Sequence, residues 1–187
     1  MNSIEKKTRA VYHDIHIKQS ENKEVFSRLT QLMSPNYLKE DDDFFKGKVC
    51  LDAGCGSHAW TTYSMLKHGA EKVYAFDLDE TIFEKAPENL KEFEGKYELK
   101  VDNVLNMQFD DNFFDFVHCG GVLHHTTDLP GGIKELGRVT KNGGILEIHT
   151  YGKGGLVREL TSYLREKYKR DEEFKTLIDK IDAQYFE

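Results

Sequence analysis

Asp52, Gly54 and Gly56 fall within the stretch VCLDAGCGSHAW at residues 49–60. The two glycines close an apolar run and precede a segment of helical period. Such a turn sets backbone N–H groups beside a helix N-terminus. Partial positive charge gathers there, and the missing side chains let a ligand come close. A tight turn with positive φ would explain one glycine; two in this setting point to a ligand. Asp77 closes a second apolar run, Asp102 and Asn103 follow a third, and HCGGVLHH at 118–125 ends a fourth. Carboxylates in these places can accept from hydroxyl and amino groups. His124 and His125 are suited to moving a proton near neutral pH, with Asp128 behind them; packing, or capping of the helix that begins near Asp128, is the plainer role.

Two ligand classes compete for the glycine turn. Gly54, Gly56 and Ala59 match G-x-G-x-x-A, and Asp77 stands about 20 residues on, where a dinucleotide site keeps its ribose-binding acid. Three features favour a ligand carrying an ammonium and a sulfonium. Asp52 makes the turn D-x-G-x-G, and a buried carboxylate opposes a doubly negative pyrophosphate. The Asp102 carboxylate can accept from an adenine amino group while the Asn103 amide donates back. The HCGG turn is small enough to admit a ligand to the backbone. A strand-end carboxylate in water is the plain alternative for Asp77 and for Asp102.

The elements that must position these residues can be read from the pattern. Short apolar runs at 48–54, 72–79, 96–102, 112–121 and 144–150 read as strands. Helical periods fill 58–68, 81–93 and 129–143 between them, with Pro87 expected to kink or divide the second and Gly143 to end the third. Strands alternating with helices mean a parallel sheet in an α/β sandwich. Residues 1–19 read as a polar arm. Ser20 opens a helix with Val25, Phe26, Leu29, Leu32 and Met33 on one face, and Pro35 is its expected stop. Residues 156–168 and 171–183 carry two more amphipathic patterns.

The chain has 187 residues, 39% of them hydrophobic and 32% charged, with a net charge of -7. That fits one soluble domain without the basic field nucleic acid would want. The densest basic run, Lys167, Lys169 and Arg170, reads as a solvated helix face. Three cysteines without CxxC or zinc spacing suggest no metal and a reducing cytoplasm. No stretch approaches the ~18 apolar residues of a membrane span.

Taken in order, the motifs resemble the class I S-adenosylmethionine-dependent methyltransferases. The likeness is greatest to the branch with the ubiquinone/menaquinone biosynthesis enzymes and many small-molecule methyltransferases. It covers about residues 47 to 150 and rests on VCLDAGCG, VYAFDLD, VDNVLNMQF, FDFVHCGGVLHHTTD and LGRVTKNGGILEIHT. The resemblance implies a Rossmann-like three-layer α/β sandwich with a mainly parallel sheet. It implies S-adenosylmethionine as cofactor, S-adenosylhomocysteine as product and a small-molecule acceptor. Nucleic acid is not expected, because enzymes that methylate its amino groups carry an Asn- or Asp-Pro-Pro-aromatic turn where this chain has HCGG. No membrane partner is expected, and the oligomeric state stays open.

Residue by residue, the resemblance lets Gly54 and Gly56 bring the backbone to the methionine portion. Asp52 orients the turn or meets the ammonium. Asp77 bridges the ribose hydroxyls, with Leu78 against the adenine. Asp102 and Asn103 address the adenine edge, and Cys119 and its neighbours offer carbonyls to the ammonium. His124 or His125 is the candidate base. His149 and Tyr151 line the acceptor pocket or pack at its rim, and Trp60 faces the cofactor or the core. Residues 1–46 form an arm and helix, with Tyr12, His13 and His16 acting in a lid or lying in a tail. Residues 47–150 form the cofactor-binding core, and 151–187 the C-terminal helices.

The family's sheet has seven strands, the last two a hairpin. No strand pair follows residue 150 here, which reads as a truncation after Glu187 or a reduced fold. The C-terminal helices would cover the fifth strand, form a lid or mediate dimerisation. The rival readings are an NAD-dependent oxidoreductase and a methyltransferase fold that binds without catalysis.

Overall fold

The structure, a computed structural model, describes residues 31, 33–152 and 154–180. The arm with Tyr12, His13 and His16 lies outside the described residues, as does most of the helix expected from Ser20; of that segment Gln31 is exposed and Met33 is fully buried. The described residues up to Thr150 belong to one compact unit and the described residues from Tyr151 to another.

In the first unit a short helix α1 (Pro35–Leu38) leads to β1 (Val49–Ala53), α2 (Trp60–Lys67), β2 (Lys72–Asp77), α3 (Ile82–Leu90) and β3 (Tyr97–Val101). Then come β4 (Phe114–Gly120), a 3-10 turn (Leu123–His125), α4 (Leu129–Val139) and β5 (Thr140–His149). The five strands form one sheet in the order β3-β2-β1-β4-β5, every neighbouring pair parallel. The chain winds outward from β1 through β2 to β3, then returns to the other side of β1 as β4. The order therefore reverses between β1 and β4. In open α/β sheets, ligands bind at the carboxyl ends of the strands at such a reversal.

Alternation along the strands feeds two separate cores. Cys50 and Phe116 face one way and pack with Met33, Phe45, Ala59, Met65 and Leu66. Leu51, Ala53, Val117 and Cys119 face the other way and pack with Phe76, Leu123 and Leu136. Strands covered on both faces become near-continuous apolar runs, which is why β1 and β4 stand out in the sequence.

Pro35 begins the short helix α1; its fixed φ suits the first helical position, and Ser34 caps the helix by accepting from the Tyr37 amide. Two boundaries differ from the sequence reading. Pro87 lies inside α3 without dividing it, because Ile82, Ala86 and Leu90 bury one continuous face. α4 ends at Val139, four residues before Gly143, and Thr140 turns extended to start β5 while its hydroxyl donates to the Leu136 carbonyl.

Arg138, in the last turn of α4, ties the β3–β4 connection down. It donates to both oxygens of Glu135, to Asp111, and to the carbonyls of Met107 and Phe109. Arg138→Ala leaves two carbonyls and two carboxylates without this donor. It is expected to cost about 2 kcal/mol, read as a lower midpoint in urea unfolding with the slope unchanged.

The second unit holds α5 (Leu156–Arg170) and α6 (Glu172–Asp179). Asp171 between them caps α6 by accepting from the Phe174 amide, and the Tyr168 hydroxyl donates to Asp179 at 2.6 Å. Among the described residues no helix is long and apolar enough to cross a membrane.

Candidate functional site

The turn after β1 is built from unusual backbone. Gly54, Gly56 and Ala59 all take positive φ, at +88°, +63° and +49°. The first two need glycine; Ala59 tolerates the left-handed region at a cost of about 1 kcal/mol. The Gly54 and Cys55 amides donate to the Phe76 carbonyl at 2.8 and 3.0 Å, which pins the turn to the end of β2. Val122, from beyond β4, lies where a Cβ on Gly54 would have to go.

Two carboxylates organise this turn. Asp52 is buried, and its Oδ2 accepts from the Thr62 amide at 3.0 Å and the Thr62 hydroxyl at 2.7 Å. It therefore holds the first turn of α2 from below. Asp77 accepts from the Gly56 amide at 3.0 Å through Oδ2 and from the Asp79 amide at 3.1 Å through Oδ1.

Burial raises the Asp52 carboxyl above its ordinary value, and the nearby Asp77 charge adds to this; His118 and the Thr62 hydrogen bonds pull the other way. A carboxyl raised by folding stabilises the fold most below its unfolded value, and that stability is lost as pH rises through the folded value. Asp52→Asn keeps the acceptor and removes the charge. It is expected to raise the melting temperature at pH 7. Asp52→Ala strands both Thr62 donors and is expected to cost about 2 kcal/mol. Thermal melts of the two variants beside the parent check both signs.

The end of β3 meets the same region. The Asp102 amide donates to the Asp77 carbonyl at 3.1 Å. Asp102 pairs with Lys100 at 2.7 Å and accepts from the Asn103 amide at 2.8 Å. That amide, expected to face an adenine edge, is turned onto the neighbouring carboxylate. A short acidic side chain captures the next amide more readily than a distant group can. Asn103 itself accepts from the Leu105 amide. Leu78 follows Asp77 and is partly buried.

Beyond β4, Cys119 is buried and its thiol is pushed up to about 12, first by burial and then by the charges of Asp52 and Glu147. Burial thus favours the thiol over the nucleophilic thiolate. Gly121 takes φ +74°, and a Cβ there would meet nothing within 4 Å. His124 and His125 form the 3-10 turn, rings 4.0 Å apart. Burial lowers both below the ordinary imidazole value, and His124 lowers His125 further. Asp128 caps α4 by accepting from the Gly131 amide.

Trp60 opens α2; its ring nitrogen is buried with no hydrogen-bond partner among the described residues. Tyr12 lies outside the described residues, and Tyr151 is in the second unit. Asp52, Gly54, Gly56 and Asp77 thus converge at one turn, Asp102 joins it through the Asp77 carbonyl, and the Cys119–Val122 segment joins it through Val122.

Sequence reasoning named His149 but missed the two polar residues that join it, His118 and Glu147. His118 on β4 and His149 on β5 both hold the carboxylate of Glu147. The only signal was polar residues inside two apolar strands, and their meeting depends on a register that the sequence does not display.

The methyltransferase-domain family model matches residues 51–148, just over half of the chain. A demethylmenaquinone methyltransferase of Geobacillus stearothermophilus is 37% identical over 103 residues, 54% of this chain and 44% of that protein. The chain spans about half the length of the curated relatives it matches. The solved PH0226 protein of Pyrococcus horikoshii OT3 superposes with a TM-score of 0.61 at 27% identity, covering 78% of this chain and 65% of that one. A Methanococcus maripaludis protein described as an S-adenosyl-L-methionine-dependent methyltransferase shares the fold, with a TM-score of 0.62 at 18% identity over 98% of this chain and 80% of that one. The five-stranded parallel sheet, the glycine turn at its reversal and the family match agree: the chain belongs to the methyltransferase-domain family, in its class I, S-adenosylmethionine-dependent branch.

Proposed function

We propose that the chain transfers a methyl group to a small-molecule acceptor. The observation that carries this is how the amides of the glycine turn and of the first turn of α2 are used. Thr62 and Gly56 donate to Asp52 and Asp77, two carboxylates of the protein itself. A pyrophosphate at a helix N-terminus wants such amides free and no anion beside them. A ligand with a cationic head and ribose hydroxyls wants the carboxylates. The residues present fit S-adenosylmethionine. Gly121 leaves the backbone approachable, and the buried Trp60 nitrogen lacks a partner among the described residues.

Asp77 would hold the ribose, Asp52 would keep α2 and the turn in place, and Asp102 and Leu78 would flank the base. Cys119 and the glycines after it would face the methionine portion. The cofactor, when bound, supplies a methyl group already activated on a sulfonium. What remains for the protein is to align the acceptor and exclude water. His124 and His125, both lowered by burial, stand on the turn after β4 as candidates to take an acceptor's proton. The relative named for demethylmenaquinone supports an apolar small molecule as acceptor.

Isothermal titration of the whole chain with S-adenosylhomocysteine, with NAD run beside it, tests the reading. Binding of the first alone is expected. Binding of NAD instead, or of neither, would sink it.

A further inference from the structure

Glu147 is gripped from two sides. One oxygen meets Nδ1 of His118 across the β4–β5 pair, and the other meets Nε2 of His149. The register sets His118 opposite Glu147 and Gly120 opposite His149, so the three side chains share one face of the sheet. The His118 and Glu147 side chains are 10% and 15% exposed, and that of His149 is 50% exposed. The row continues to Asp52, opposite His118 on β1.

Gly120 explains how His118 lies over the end of its own strand: a Cβ there would stand 2.7 Å from His118 Nε2. Nε2 thus sits above the small-residue end of β4, on the strand that flanks the sheet reversal. An imidazole whose Nδ1–H is held by a carboxylate is locked in one tautomer and presents Nε2 as an acceptor. Burial alone would raise Glu147, but the hydrogen bonds and charges of His118 and His149 hold it below the usual carboxylate value. It is an ionised partner at neutral pH. Among the described residues no group of His, Cys, Asp or Glu has the geometry to hold a metal ion.

We propose that His118, rather than His124 or His125, is the base that takes the proton from a hydroxyl-bearing acceptor, with Glu147 and His149 as positioning residues. This rests on the methyl-transfer reading and deepens it: the acceptor belongs to the phenols or alcohols, whose oxygen keeps its proton near pH 7. The acceptor's oxygen gains the methyl carbon and gives its proton to Nε2. The electron pair of the broken carbon–sulfur bond stays on sulfur. One sulfonium charge disappears and one imidazolium charge appears, which Glu147 stabilises. The other ionisable groups near His118 are Asp52 from β1 and His149 from β5, and the Tyr37 ring of α1 stands 6.3 Å from His149.

The test uses the whole chain labelled with 15N at histidine. Long-range proton–nitrogen spectra report the tautomer of each ring, and His118→Asn identifies one signal by its loss. The neutral His118 ring is expected to carry its proton on Nδ1, leaving Nε2 as the acceptor. Sinefungin, an analogue of S-adenosylmethionine with an ammonium at the reacting position, is expected to move the His118 Nε2 resonance relative to S-adenosylhomocysteine, through the added charge beside it. Glu147→Gln is expected to release the tautomer without ligand, so that ring protonated on Nε2 appears. A neutral His118 that carries its proton on Nε2 overturns the proposal. So does an Nε2 resonance that is the same with both ligands bound. If calorimetry finds that neither ligand binds, the methyl-transfer reading itself has failed and takes the proposal with it. The Glu147→Gln spectrum needs no ligand and reports on the clamp in either case: an unchanged tautomer overturns the positioning role of Glu147.

Discussion

Asp77→Ala is expected to weaken S-adenosylhomocysteine binding about 100-fold. The carboxylate does two things at once. It fixes the turn by accepting from the Gly56 and Asp79 amides. On the proposed reading it also accepts from two ribose hydroxyls. A hydrogen bond to a charged group contributes about 1.5–3 kcal/mol, and 1.4 kcal/mol is tenfold in affinity. Losing both hydroxyl contacts therefore predicts about two orders of magnitude. Asp77→Asn keeps the shape and one acceptor oxygen and is expected to fall between, at about tenfold. Titration calorimetry of the three proteins gives the order directly. An alanine variant that binds within about threefold of the parent would remove Asp77 from the site.

Gly54→Val is expected to destabilise the fold by about 4 kcal/mol or more. Two independent costs add at this position. A φ of +88° is strained for any side chain, most of all a β-branched one. The added Cβ would also point into Val122, which is anchored between β4 and the 3-10 turn. Gly54→Ala meets the same atom with fewer of its own and is expected to cost less. Adding Val122→Ala to Gly54→Ala makes room for the new methyl. Chemical unfolding of the single and double variants separates the terms: the double variant should recover the steric part and keep the backbone part. Equal stability of Gly54→Ala and the parent would mean that the turn can adopt another conformation.

The parallel sheet and its reversal were legible because β1 and β4 are buried on both faces, and continuous apolar runs leave few alternatives. Gly54 was legible because positive φ beside a neighbouring side chain admits little else. Asp77 was legible as a strand-end acid, but its hold on the Gly56 amide was not, because that contact spans two strands. The end of α4 was misjudged because Gly143 looks like a stop signal, whereas burial of Val139 and Thr140 against the sheet decides it. Pro87 misled for the opposite reason: a local breaker was overruled by a buried helix face. His118 and Glu147 passed unnoticed because each is a single polar residue in an apolar strand. Only register makes them partners.

β5 meets β4 with an irregularity: Thr140 pairs with Phe114, yet Ile145 pairs with Phe116. Three more residues are spent on β5 than on β4 over this interval. The extra length lies at Lys141–Gly144, next to the invading carbonyl of Asp115, which a Cβ on Gly144 would approach to 3.0 Å. From Ile145 onward every side chain takes its face from that slack. Losing a single codon there would turn Glu147 and His149 to the opposite side of the sheet, away from His118, while leaving each of those residues in the gene. Among relatives, a one-residue gap in this segment would therefore separate sequences that keep the clamp from sequences that only keep its letters.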